Sequence, residues 1–111
     1  MRAVDVPARL ATMVCPTMDE PHAVSGPALS ARRIAIISTA GLAPAGDRLF
    51  SLGGADYRVI DTEDQRPIQM THISTNFDRS GFAADLNVVF PLQRLHEQAE
   101  RGQIGSVARY H

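Results

Sequence analysis

The side chains of this 111-residue sequence that could do chemistry gather at three places: Ser38 and Thr39 in "STAG", His72 and Ser74 in "HIS", and His111 in "RYH". Each place ends a run with strand character, and in open α/β sheets ligands sit in the crevice beyond the carboxyl ends of strands. The stretch after the second run adds Asn76, Asp78 and Arg79, with Asp85 and Asn87 further on. Hydroxyls, imidazoles, a carboxylate and a guanidinium on one rim would suit a small amino-acid-like zwitterion or carboxylate, with Arg79 as a bidentate partner. Thr39, His72, Ser74, Asn76, Asp78, Arg79 and His111 are therefore the candidate ligand-binding residues, and Asp85 and Asn87 are expected to order the loop. A plainer reading stands beside this one. His72 could be a core histidine satisfied by backbone, and Asp78 and Arg79 could hold their loop together through an Asx turn and a local ion pair. No residue is assigned a catalytic role.

Composition removes several chemistries. All 11 basic residues are Arg, which excludes a lysine Schiff base and a P-loop lysine. Cys15 is the single cysteine, so an internal disulfide or a Cys-rich zinc site is impossible, and in "MVCPTM" it reads as structural or incidental rather than nucleophilic. "GLAPAG" (41–46) follows a strand but leads to Asp47 and Arg48, where a phosphate loop needs Lys and Ser or Thr. His22, His72, His96 and His111 lack metal-binding spacing. No metal or cofactor is expected. The formal charge of −1, with both signs interspersed, gives no basic patch for nucleic acid. Apolar runs such as "IAII" are too short to span a bilayer and no leader pattern opens the chain, so a cytoplasmic protein is expected.

The elements that must position these residues form one domain. Residues 1–31, with Pro7, Pro16, Pro21 and Pro27, read as an N-terminal arm holding one short helix at 7–13; Leu10, Met13, Val14 and Met18 could anchor it on its own domain or on a neighbouring subunit. Residues 32–111 read as a small α/β domain, a two-layer or three-layer sheet with at least one parallel crossover. The run at 31–42 predicts a strand buried on both faces. A glycine-rich loop follows at 40–56, then strands at 57–61 and 68–74, a helix at 91–102 with Pro91 first and Gly102 as its stop, and a strand at 104–111. Glu97 and Arg101 are spaced for an i,i+4 pair, and His96 falls on the solvated side of that helix. Open sheet edges and a mobile arm lead us to expect a homodimer.

In this order, "RIAIISTAGL" (33–42), "DYRVI" (56–60), "HISTNFDRSGFAADLNVVFPLQRL" (72–95) and "GQIGSVARYH" (102–111) resemble the selenoprotein B component of the glycine, sarcosine, betaine and D-proline reductases. The resemblance covers about residues 15–111 and is most specific from His72 to Pro91, with His72, Asp78, Asp85, Asn87 and His111 matching residues that recur in the family. It implies reductive cleavage of an α-amino acid or its N-methylated derivative. In the family a selenolate attacks carbon while a pyruvoyl group on a partner subunit activates the substrate amine. The family's selenocysteine lies downstream of the matched region, and Cys15 does not occupy its position. What the resemblance implies is thus a short, selenium-free, C-terminally truncated relative. It would be active only with a reductase partner subunit, or else be a non-catalytic binding or assembly module.

Overall fold

The β-branched run that begins at Arg33 and the run that closes the sequence lie side by side. In the computed structural model, which describes residues 5–20, 23–73 and 78–111, strand β1 (Arg33–Ile34) runs parallel to strand β4 (Ser106–Val107), Arg33 opposite Ser106 and Ile34 opposite Val107. Parallel neighbours require a long crossover. Here it contains an antiparallel pair, β2 (Leu42–Pro44) against β3 (Ile68–Met70), and the helices α2 (Ser80–Ala84) and α3 (Leu92–Glu100). Helix α1 (Val6–Ala11) precedes the strands. The architecture is a small mixed α/β domain with the expected parallel crossover. No helix among the described residues is long and apolar enough to cross a membrane.

Residues 5–20 and 23–31 are exposed along their length. Helix α1 is capped by Asp5, whose carboxylate accepts the Ala8 N–H at 3.2 Å, and Pro7 sits in the first turn, where a missing donor costs nothing.

The closing segment is the centre of the first sheet. On one side Gly105 and Ser106 donate to the Arg32 carbonyl (2.9 and 3.1 Å) and Ala108 donates to Ile34 (2.8 Å). On the other, Ile60 and His111 exchange both backbone bonds (2.8 and 3.0 Å), and Thr62 donates to Arg109 (2.9 Å). The strand predicted at 57–61 is thereby reduced to a short antiparallel contact around Asp61 and Tyr110. Gly105 permits the approach of β4 to the chain entering β1: a Cβ there would lie 2.6 Å from the Ala31 carbonyl carbon.

Two expectations are corrected. Residues 31–42 do not form one strand buried on both faces. From Ile34 to Ala40 half-buried and exposed residues alternate, and Ile37 is 98% exposed, because among the described residues no second layer covers the outer side. An unbroken apolar run carries no periodicity, so it cannot separate one-sided from two-sided burial. The predicted loop at 40–56 also contains β2, all three residues of which are buried. Its neighbouring glycines disguise it.

Helix α3 lays half-buried Leu92, Leu95 and Ala99 against β4 and the 3-10 turn at Leu86–Val88. Gly102 stops it with φ of 72°, its N–H bonding Ala99 O and the Gln103 N–H bonding Gln98 O, both at 3.0 Å. Glu97 pairs with Arg94 at 2.9 Å rather than with Arg101, which already caps the helix where the chain turns away. The core is a cluster of Leu42, Ile60 and Phe90, with Ile36, Ile68, Met70, Leu86, Val89 and Leu92 packed against it.

Gly105→Ala must push two backbones apart and is expected to lower stability in urea unfolding by about 1–3 kcal/mol. Gly81→Ala is the contrast, because the methyl added at this exposed position of α2 meets, among the described residues, nothing nearer than Val88 Cγ1 at 3.8 Å. That change is expected to be neutral or to stabilise by up to about 1 kcal/mol.

Candidate functional site

Residues 35–41, the continuation of β1, are held by two imidazoles reaching in from flanking segments. His111 Nδ1 accepts the Ile36 N–H at 2.9 Å, and His72 Nδ1 accepts the Gly41 N–H at 3.0 Å. A ring nitrogen that accepts carries no proton, which makes both rings Nε2–H tautomers. Position 41 must be glycine, since a Cβ there would lie 2.7 Å from the His72 Cα. The Gly41 carbonyl accepts the N–H (2.6 Å) and the hydroxyl (3.2 Å) of Thr71. Ser38 Oγ accepts the Ala40 N–H at 3.2 Å, so its own proton remains available to donate.

These groups line one cavity of about 640 Å³. Core residues Leu42, Ile60 and Phe90 line it too, together with Ser38, Thr39, His72 and His111. Phe90 meets the His111 ring edge-on, with centroids 5.6 Å apart. Burial pushes the His111 pKa below its ordinary value; the Ala108 carbonyl pulls the other way without reaching hydrogen-bonding geometry, and His96 adds a small downward push. Its Nε2 is buried and, among the described residues, has no hydrogen-bond partner.

Arg58 and Asp56 also line the cavity. The guanidinium bonds Asp56 at 2.6 Å and the Arg48 carbonyl at 3.0 Å, and lies 4.4 Å over the Phe50 ring. Its hydrogen bond holds the Asp56 carboxyl below the usual carboxylate range, so the two charges offset each other.

Among the predicted site residues, Thr39, His72 and His111 come together here, with Ser38 beside them. Ser74 and Asn76 lie outside the described residues. Asp78 and Arg79 do not line the cavity. Asp78 accepts the N–H (2.9 Å) and hydroxyl (2.7 Å) of Ser80 at the start of α2, and these bonds lower its pKa. Arg79 donates to the His72 carbonyl at 2.8 Å, so the guanidinium expected to meet a ligand directly instead touches the backbone of a lining residue. Asp85 accepts the N–H (2.9 Å) and side-chain amide (3.0 Å) of Asn87, turning the chain toward α3, and that amide also reaches Gln93 at 3.3 Å. Arg58 and Asp56 are not among the site residues expected from the sequence. The signal for Arg58 is the alternation in "YRVI", which turns Arg58 and Ile60 inward and leaves Tyr57 and Val59 exposed. His96 and Cys15 are exposed and do not line the cavity. Among the described residues no three His, Cys, Asp or Glu side chains gather to hold a metal ion.

No family model, curated protein or solved structure matches this chain.

The native state holds His111 below its ordinary pKa of 6.5, so on acidification the unfolded chain takes up that proton first. The stability contributed by the neutral ring is complete above pH 6.5 and is lost as the pH falls through the native value. A proton NMR titration is expected to place the His111 midpoint below 6.5. Between about pH 7.5 and about pH 5 the urea midpoint should fall further for the wild type than for His111→Asn, whose amide oxygen can accept the Ile36 N–H without titrating.

Proposed function

We propose that this chain is a cytoplasmic substrate-binding component of the amino-acid reductase type, related to the selenoprotein B component, and that it leaves the redox step to a partner subunit. The supporting observation is the pair of imidazoles tied through Nδ1 to residues 35–41, beside the Ser38 and Thr39 hydroxyls on one cavity. Hydroxyl and backbone donors at such a rim suit the carboxylate of a small amino acid. Apolar Ile36, Ile60 and Phe90 suit its methylene or N-methyl groups, and the ring of Tyr57 suits an ammonium. The lining residues include no thiol, and Asp56 is committed to Arg58. A binding role therefore fits better than a nucleophilic one.

The test is titration of the ¹⁵N-labelled protein with glycine, sarcosine, betaine and D-proline. Shifts confined to residues 35–42, 71–73 and 110–111, weakened about tenfold or more by Thr39→Val, support the reading. Loss of signal change with all four compounds would overturn it. Adding cell extract and a dithiol separates the two classes that remain. Amino-acid-dependent oxidation of the dithiol marks the reductase component, and binding without turnover marks a non-catalytic ligand-binding module.

A further inference from the structure

A folded monomer of this mass exposes about 6,000 Å² of surface, whereas this chain exposes 9019 Å². The difference, about 3,000 Å², exceeds the roughly 1,000–2,500 Å² that each protomer of an obligate homodimer buries. Part of it belongs to the exposed residues before β1. The rest includes a group of large apolar side chains around the cavity: Ile37 (98% exposed), Tyr57 (82%), Val59 and Tyr110.

Beside this group runs an open sheet edge. The Arg32 and Ile34 carbonyls and the Ile36 N–H all point toward the closing segment. In an extended chain the intervening residues direct their backbone groups the opposite way. Arg33, Ala35 and Ile37 thus face a side on which, among the described residues, no strand pairs with β1. An edge that is apolar, with neither proline nor an inward charge from Ile34 to Ile37, is a template for another strand.

We propose that a second copy of this chain occupies this edge, the two β1 segments pairing antiparallel about a twofold axis at Ala35. That register sets Arg33 against Ile37 of the partner subunit and keeps the two Arg33 side chains apart. It closes on itself, because β1 has one edge to offer. It also covers Ile37 and its apolar neighbours and narrows the mouth of the cavity. The pairing rests on surface area and edge geometry, independently of the ligand reading above.

Sedimentation equilibrium of the full chain, without amino acids present, tests it. Wild type at micromolar concentration is expected at twice 12.0 kDa. Ile37→Arg should weaken the association at least about 100-fold, by placing an unpaired charge in the interface, while far-UV circular dichroism is unchanged. Ala35→Pro removes an outward N–H and should also give monomer. Val14→Arg, at an exposed apolar residue outside β1, should leave the dimer intact. A monomeric wild type, a dimer that survives both edge substitutions, or equal dissociation by Val14→Arg would each overturn the proposal. None of these outcomes bears on amino-acid binding, which the NMR titration reads separately.

Discussion

Among the described residues, 105–111 form the one segment of the first sheet hydrogen-bonded on both sides, and the remainder of the domain is arranged by that requirement. The N–H groups of Ser106 and Ala108 face β1, while the Arg109 carbonyl and both backbone groups of His111 face residues 60–62. Both neighbours come from far earlier in the chain, so the entropy of closing two long loops must be overcome before either ladder forms. Charge-assisted bonds reinforce the second ladder. The Arg109 guanidinium forks onto both oxygens of Asp61 (2.9 and 2.8 Å) and reaches Glu63 at 2.8 Å, which holds the Asp61 carboxyl below the usual range.

The cavity follows from how the first ladder ends. Up to the bond from Ala108 to Ile34, backbone bonds to backbone. One step further the Ile36 N–H finds the His111 ring instead of a carbonyl, and at Gly41 the same substitution is made by His72. An imidazole is longer than a carbonyl, so a strand continued by side chains stands off from its neighbours. The space between becomes the cavity, and its polar lining is what the substitution leaves behind. Beyond Gly41 the ordinary ladder resumes, with buried β2 against half-buried β3.

Much of this arrangement was legible from local pattern. The glycine stop of α3, its apolar stripe and the approach of His72 and His111 to the end of the first apolar run all follow from periodicity and from the crevice rule. Tertiary pairing was not legible. Nothing in "GLAP" announces a buried strand, because β2 is defined by β3 opposite it rather than by its own propensities. The one-sided burial of residues 34–40 likewise depends on what covers the sheet. Arg79 and Asp78 have the residue types of a carboxylate site, yet Arg79 bonds the His72 carbonyl and Asp78 bonds the first turn of α2. Residue type sets which bonds can form, and the path of the chain selects among them.

The same bonds constrain what the cavity can recognise. Each imidazole spends its acceptor nitrogen on the backbone, so the proton of each neutral ring sits on Nε2, which is a donor. Ser38 likewise accepts from Ala40 and keeps a proton to give. Arg58 and Asp56 offset each other at the wall. The lining is therefore rich in neutral donors and poor in net charge, a setting in which a ligand acceptor gains hydrogen bonds in a partly desolvated site. Protonating the His111 Nδ1 would convert an acceptor into a donor facing the Ile36 N–H, removing a bond that shapes the cavity. The shape of the cavity and the tautomer of each ring thus rest on the same atom, the Nδ1 turned to the chain.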